Sequence, residues 1–347
     1  MKNNVLVLMS GGVDSSVAAY LLKEKGFNVS GVTMVLFSQK THNTNVAMAK
    51  KVAGQLGIKH YIADKSAAFK KNVIEYFVSE YFKGRTPNPC VMCNPKIKFG
   101  EMLKFAKKLG CDYIATGHYA IIEKAKSSSR YILKKGIDGT KDQSYFLYRL
   151  NPEIFPRILF PLGKYKKSEV KKIAEKLGLK SAQREESQEI CFVENKKYGD
   201  FIKKSRGGKI RPGKISDATG KILGRHTGIP FYTVGQRRGL NISAGVPVYV
   251  AKIDVRENRI VVGKKDDILQ KEFDVKKINW LVPQVGRSLT TAKVRIRYKH
   301  REEKAKIYLS GKSSARVVFE KPQWAITPGQ SAVFYKNNVV LGGGIIY

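Results

Sequence analysis

The chain has 347 residues, with 65 Lys and Arg against 28 Asp and Glu, for a formal net charge of +37. That length predicts two or three domains at roughly 100–200 residues each, and 42% hydrophobic residues are enough for real cores, which excludes a wholly disordered chain. The basic excess excludes a self-solvating acidic chain and points to a polyanionic partner, although lysine is spread along the whole sequence.

The N-terminus, Met1-Lys2-Asn3-Asn4, runs directly into a buried strand over Val5–Met9, without the apolar stretch of a signal peptide or the Arg-rich stretch of a transit peptide. Ser15–Lys25 reads as a helix with Ala18, Leu21 and Leu22 on one face and Gly26 as its cap. Val29–Phe37 predicts a second strand. Val46, Ala49, Val52, Ala53 and Leu56 then recur at helical spacing up to Gly57, and His60–Ala63 predicts a short strand. Phe69, Val73, Tyr76, Phe77 and Phe82 mark a helix that stops at Gly84. Phe99, Leu103 and Ala106 mark one that stops at Gly110, before a strand over Tyr113–Thr116. This alternation predicts an α/β fold, a doubly wound parallel sheet whose ligands bind beyond the carboxyl ends of the strands.

Residues 164–180 predict one more amphipathic helix, with Val170, Ile173, Ala174 and Leu177 inward and seven lysines outward. Lys203–Lys214, with six basic residues, three glycines and no acid, reads as a linker. Beyond it, Val248–Ile253, Arg259–Val262, Lys293–His300 and Ala332–Tyr335 alternate at strand period between Gly, Pro, Asn and Asp. They predict two small all-β domains divided near Leu269–Glu272. The expected domains are therefore 1–203, a central small β domain at 204–270 and a C-terminal β-barrel at 271–347. No apolar run approaches the ~20 residues of a membrane helix.

Ser10-Gly11-Gly12-Val13-Asp14-Ser15-Ser16 lies between the first strand and the first helix. Its glycines let backbone N–H groups approach an anion, and the helix N-terminus adds the positive end of its dipole. The run lacks the Lys of a Walker loop and the three spaced glycines of a dinucleotide fingerprint. It resembles the loop of the PP-loop ATP pyrophosphatases, which adenylate a substrate and release pyrophosphate. Asp14 is then the natural carboxylate for the Mg²⁺ that accompanies ATP.

Cys90 and Cys93 form a single Cys-x-x-Cys after a Pro-rich loop, which leaves a zinc site short of ligands. Pro95 suits the first position of a helix and Asn94 its N-cap. That would place Cys93 just outside a helix N-terminus, where the dipole favours thiolate. Cys191, among acidic and apolar neighbours in 185–193, reads by itself as a core cysteine, as does Cys111 at the start of a strand. Four cysteines make no secreted disulfide framework, so a reducing cytoplasm is expected.

Separated blocks, in family order, resemble the tRNA-specific 2-thiouridylase family. They are S-G-G-V-D-S at 10–15, G-R-T-P-N-P-C-V-M-C-N at 84–94, A-T-G-H-Y at 115–119 with K-D-Q-S-Y-F-L at 141–147, I-C-F at 190–192, and T-P-G-Q-S-A-V-F-Y at 327–335 with L-G-G-G-I-I at 341–346. The resemblance spans nearly the whole chain. It implies a PP-loop ATP domain and an enzyme, a tRNA-uridine 2-sulfurtransferase, that uses ATP and Mg²⁺ to thiolate C2 of a wobble uridine. It implies tRNA and a sulfur-relay persulfide donor protein as partners, and neither DNA nor membrane.

By motif match, Leu8, Met9, Ser10, Gly11, Gly12, Val13, Asp14, Ser15, Met34 and Gly117 would bind ATP. Cys93 would be the nucleophile and Cys191 the persulfide carrier, with a Cys93–Cys191 disulfide after turnover. Asn88, Pro89 and Cys90 would hold the target base. Lys141, Asp142, Gln143, Arg297 and Tyr298 would contact tRNA, with His118 and Gln330 near it.

The chain departs from the family pattern at Cys90, where some members carry an Asp with an acid–base role. That role, a spare thiol, or a third ligand beside Cys93 and Cys191 for an iron–sulfur cluster all stay open. Val35–Thr44 also lacks the acidic residues of many relatives. A strand over Lys293–His300 would put Lys293, Arg295, Arg297, Lys299 and Arg301 on one face, which suits a solvated barrel as well as RNA. Two competing readings are another PP-loop adenylating enzyme, such as a tRNA lysidine synthase or an amide-forming ligase, and a non-catalytic RNA-binding protein. Neither needs Cys93 and Cys191.

Overall fold

A computed structural model describes residues 3–347 apart from 38–39, 127, 182–189, 194–197, 206–209, 244 and 284–288, and apart from the side chains of 40–43. β1 (Asn4–Leu8), α1 (Val13–Glu24), β2 (Asn28–Val35), α2 (Lys40–Gln55) and β3 (Lys59–Asp64) alternate as the periodicity predicts. The helices stop where glycines take left-handed backbone, Gly26 at φ +82° and Gly57 at φ +61°. Then come α3 (Ser66–Phe69), a π-helical turn over Lys70–Ile74, and α4 (Glu75–Phe82). A second helical run follows: α5 (Cys90–Cys93), π-helical Asn94–Glu101, and α6 (Met102–Lys108). β4 (Tyr113–Ala115), β5 (Ala120–Lys124), β6 (Tyr131–Lys135), β7 (Ile158–Leu159), α7 (Lys167–Lys176) and α8 (Tyr198–Ser205) complete this part. The remainder is β8 (Gly213–Ser216), β9 (Ile222–His226), β10 (Tyr249–Asp254), β11 (Arg259–Gly263), β12 (Leu269–Trp280), β13 (Leu289–Arg295), β14 (Glu303–Leu309), β15 (Ser314–Trp324), β16 (Ser331–Lys336) and β17 (Val339–Ile346).

Two compact units result. The first comprises Met1–Val73, Cys90–Gln188 and Asn337–Leu341, and the second Ile74–Pro89, Glu189–Lys336 and Gly342–Tyr347.

The first unit holds the parallel sheet, in the order β3-β2-β1-β4-β7. β1 is central: Val7 pairs with Gly31 on one side and Ala115 on the other. Helices cover both faces, so Val5, Leu6 and Val7 are fully buried, and the strand reads as an unbroken apolar run. α1 packs Val17, Ala18 and Leu22 against Val5, Val7 and the α7 residues Val170 and Ala174. Truncating a residue such as Leu22 to Ala there costs about 2–5 kcal/mol. The strand order reverses between β1 and β4, which opens a crevice beyond their carboxyl ends. β5 and β6 form an antiparallel hairpin that the sequence pattern did not single out, since each strand is only five residues and ends in Lys.

In the second unit, the sheet β10-β11-β8-β9 packs around Ile215, Tyr232, Val250, Ile260 and Val262. Separately, β12 pairs with both β15 and β17, so the six strands β12-β15-β14-β13-β16-β17 close into a barrel without free edges. The fold class is as predicted, a parallel-sheet domain followed by small β domains.

Two expectations need correction. α8 carries the chain through Ser205 because Ile202 is buried, so the linker begins later than Lys203, and 206–209 lie outside the described residues. β13 stops at Arg295 rather than His300. The chain turns there, with the His300 N–H donating to the Arg297 carbonyl at 3.0 Å, so the five charges do not line one strand face. Among the described residues, no helix is long and apolar enough to cross a membrane.

Candidate active site

The phosphate loop is built on the end of β1. The Met9 N–H still donates to the Val32 carbonyl at 2.8 Å, and the chain then turns at Gly11, φ +74°. A Cβ on Gly11 would lie 2.7 Å from the Asn45 carbonyl oxygen, so only glycine fits there. Ser15 Oγ accepts from the Ser10 N–H at 3.1 Å and donates to the Gly12 carbonyl at 3.1 Å, while Ser16 Oγ donates to the same carbonyl at 2.9 Å. The loop is thus closed on itself at the N-terminus of α1. Gly117, just past β4, backs directly onto it: a Cβ there would stand 2.8 Å from the Asp14 carbonyl carbon and 2.9 Å from the Ser15 nitrogen. With half-buried Met34 near the end of β2, Leu8–Ser15 and Gly117 gather at the carboxyl ends of the central strands.

Asp14 does not stand alone. Tyr119 Oη donates to its Oδ1 at 2.7 Å, and Lys167 Nζ to the same oxygen at 2.6 Å. Neither partner was singled out from the sequence, and Lys167 was placed among seven outward lysines. It is instead turned inward, its side chain 10% exposed. A signal was present: Lys167, Val170 and Ala174 fall at i, i+3 and i+7, so Lys167 continues the buried stripe of α7. The Lys167 N–H donates to Asp138 Oδ2 at 2.9 Å, which fastens the start of the helix.

The 141–143 segment serves the same corner. Asp142 is buried and accepts from the N–H groups of Gly136 (3.2 Å) and Ser144 (3.1 Å). Gln143 Oε1 accepts from the Tyr119 N–H at 3.1 Å. Gln143 therefore braces the residue that holds Asp14, Asp142 fixes the backbone on either side of itself, and Lys141 is half-buried beside them.

Cys90 and Cys93 occupy the first turn of the second helical run, so Cys93 lies inside the helix and Asn94 is no cap. Pro95 is tolerated because the turns there are π-helical, and a widened turn relieves the clash of a proline ring with the carbonyl four residues back. Cys93 remains in the first turn of that run. It is buried, at 8% exposure. Asn94 Nδ2 donates to the Phe146 carbonyl at 3.0 Å, while its Oδ1 is buried without a hydrogen-bond partner among the described residues.

Cys90 is exposed at its surface although its surroundings are dense; that packing pushes its thiol pKa up, and the charge of Lys98 pulls it down. Lys98 Nζ donates to His118 Nε2 at 3.3 Å. The proton of His118 therefore sits on Nδ1, assigned from this network, and is donated to Thr116 Oγ1 at 2.6 Å. Burial, then Lys98, hold the His118 pKa well below the ordinary histidine value, so the ring is neutral. Cys111 is buried, and desolvation and Asp112 raise its pKa, which suits an inert core thiol.

In the second unit, the segment before Cys90 is tightly fastened. A Cβ on Gly84 would meet Val255 Cγ2 at 2.8 Å. The Thr86 N–H donates to the Pro328 carbonyl at 2.8 Å, Gln330 Nε2 donates to the Thr86 carbonyl at 2.7 Å, and Thr86 Oγ1 donates to Thr233 Oγ1 at 3.0 Å. Arg85 lies 4.1 Å over the Tyr347 ring. Gln330 thus holds this segment, in which Asn88 is half-buried and Pro89 buried.

Cys191 is not the core cysteine its neighbours alone suggested. It is exposed, and Phe192 is the buried member, its ring 5.2 Å from Phe77 and 5.2 Å from Phe201. The acidic neighbours 185, 186 and 189 lie outside the described residues. Arg297 Nη1 donates to the Trp324 carbonyl at 3.1 Å and its guanidinium lies 5.6 Å over the Trp324 ring, with Tyr298 half-buried beside it. Arg295 pairs with Glu302 at 2.7 Å.

Comparison with known proteins gives these sites a family. Residues 3–195 match the "tRNA methyl transferase HUP domain", 199–264 the "tRNA methyl transferase PRC-barrel domain" and 270–346 the "Aminomethyltransferase beta-barrel domain". The "tRNA-specific 2-thiouridylase MnmA 2" of Thermoanaerobacter sp. (strain X514) is 48% identical over 357 residues, covering 100% of this chain and 98% of that protein. Its namesake from Clostridium tetani (strain Massachusetts / E88) is 46% identical, covering 100% and 99%. The chain belongs to the tRNA-specific 2-thiouridylase family.

Solved structures lie further from this thiouridylase-family chain. The "U34-tRNA thiolase NcsA from Methanococcus maripaludis with its [4Fe-4S] cluster" is 23% identical over 60% of this chain and 68% of its own, with a TM-score of 0.37, too slight a likeness to carry an argument. Among the described residues, no group of three His, Cys, Asp or Glu could hold a metal ion. Asp14 suits Mg²⁺ differently, since that ion needs only one or two carboxylates beside phosphate oxygens.

Proposed function

We propose that this chain is the cytoplasmic enzyme that thiolates C2 of the wobble uridine of tRNA, using ATP and a persulfide sulfur. The observation that carries the reading is the phosphate loop, closed on Gly117 at the strand switch point, in the same unit as a cysteine in the first turn of a helix. Uridine O2 attacks the α-phosphorus of ATP, pyrophosphate leaves, and the uridine N3 proton is lost. The carbonyl oxygen, a poor leaving group, becomes AMP. Leu8–Ser15, Met34 and Gly117 bind the nucleotide, and Asp14 holds Mg²⁺, which neutralises phosphate charge.

Sulfur arrives on Cys191, whose exposure lets a donor protein reach it. The terminal sulfur of the Cys191 persulfide attacks C2 and AMP leaves with the original oxygen. The Cys93 thiolate then attacks Cys191 Sγ, forming a Cys93–Cys191 disulfide and releasing 2-thiouridine, which regains the N3 proton. An external thiol reduces the disulfide. Asn88, Pro89 and Cys90 hold the flipped base, as enzymes acting on a base atom must. Lys141, His118, Arg297 and Tyr298 face the tRNA, and the second and third domains divide near 270.

The matched model descriptions speak of methyl transfer, yet methyl transfer needs neither an adenylating loop nor two thiols. Incubation with ATP, Mg²⁺, a persulfide donor and unmodified tRNA should yield 2-thiouridine and AMP, and Cys93→Ser and Cys191→Ser should each reduce product at least a thousandfold. Cys111→Ser should leave it unchanged. No 2-thiouridine from the wild type, or full activity in both cysteine variants, would sink the reading.

A further inference from the structure

The phosphate loop of this chain contains no lysine, and its only charged side chain is an acid, Asp14. Unaided, that carboxylate would repel a triphosphate. The cation that offsets it comes from 153 residues along the chain, where Lys167 Nζ lies 2.6 Å from Asp14 Oδ1 with its side chain only 10% exposed. Tyr119 Oη binds the same oxygen at 2.7 Å, and the Lys167 ammonium lies 5.8 Å from the Tyr119 ring. Lysine carries four rotatable methylenes and a strongly hydrated head, so its burial at a ligand crevice needs a polar reason.

We propose that Lys167 is the phosphate-binding lysine of the site, supplied from α7 in place of one in the loop. Before nucleotide arrives, Lys167 neutralises Asp14. When ATP docks, the Lys167 ammonium moves to the phosphate oxygens, and Asp14 would be left to hold the Mg²⁺ that accompanies the nucleotide. On those oxygens the ammonium stabilises the charge that develops on departing pyrophosphate. The movement is short, because both anions would sit at the N-terminus of α1, and it breaks no covalent bond. Tyr119 keeps Asp14 in place throughout, braced through Gln143.

This inference rests on the ATP-using reading of the site, and wild-type ATP binding is the control that fails if that reading is wrong. Calorimetric titration with ATP, in Mg²⁺ and in EDTA, is compared with titration by adenosine. Lys167→Met should weaken ATP binding by about tenfold or more, the size of one lost hydrogen bond to a charged group, and leave adenosine binding within about twofold. Lys167→Arg, which keeps the charge, should recover most of the loss and serves if the Met variant fails to fold. ATP binding unchanged in Lys167→Met, or ATP and adenosine weakened equally, overturns the proposal.

Discussion

At the scale of single residues, what matters is how many neighbours a side chain already satisfies. Arg297 donates to the Trp324 carbonyl and stacks on its ring, so it is partly consumed by the barrel before any RNA arrives. Arg297→Ala should therefore do two things. It should lower the magnitude of the salt slope of tRNA binding by about one, and it should lower the melting temperature through the lost stacking. A slope equal to wild type would remove Arg297 from the RNA contacts and leave it a barrel residue. Residues like this mark where sequence is readable and where it is not. The loop from Ser10 to Ser15 is legible because its chemistry is local: two glycines, an acid and two hydroxyls within hydrogen-bond reach of one another. Lys167 and Tyr119 are hard to see, because their partner lies 153 and 105 residues away. Only the place of Lys167 on the buried stripe of α7 betrays it.

Among the elements, boundaries fall where backbone geometry demands them. Gly26, Gly57, Gly84 and Gly110 all have positive φ, and each ends a helix that the apolar spacing had already outlined. The helical run from Cys90 is misread from sequence for a local reason. Pro95 normally signals a helix start, and only the π-helical turns let it sit inside one. β13 is overextended in the same way. The alternation through His300 is real in sequence, but a turn at 297–300 ends the strand regardless. The phosphate loop depends on the contact of two elements, the start of α1 and the segment after β4. Gly117→Ala would push a methyl within 2.8 Å of the Asp14 backbone, and backbone cannot swing aside as a side chain can. ATP affinity should fall by at least about tenfold, with the fold preserved by circular dichroism, since the insertion of one methyl costs about 1–3 kcal/mol. Wild-type affinity would mean that the loop relaxes freely and that Gly117 is no part of the nucleotide site.

At the scale of the whole molecule, four histidines among the described residues share one electrostatic bias. Burial depresses the pKa of His60, His118, His226 and His300. His226 illustrates the cause, donating to the Asn258 carbonyl at 3.0 Å and accepting from the Gly228 N–H at 3.1 Å, a role that protonation would end. In the unfolded chain these rings titrate near ~6.5. The native state refuses protons there that the unfolded chain accepts, so stability is full above that pH and falls as pH drops through and below it. The urea midpoint should be lower at pH 5.5 than at pH 7.5, and His226→Gln should flatten part of that fall. A midpoint independent of pH across this range would contradict the neutral-histidine picture. The large-scale order of the chain is visible in sequence because it rests on changes of period and on basic glycine-rich stretches. The particular strand pairing that closes the expected barrel is not, because it rests on β12 meeting β17 far along the chain.

The fastening of Thr86 gives the barrel a second duty. Its N–H and its carbonyl are both taken by the 328–330 turn, and its hydroxyl by Thr233. A chain cut short before residue 271 would lose more than a basic surface, because the segment leading to Asn88 would be left with two bare backbone groups and no splint. Grafting a foreign RNA-binding module in place of the barrel would fail for the same reason, even if the graft gripped tRNA well. The C-terminal barrel is inherited together with the loop it sets.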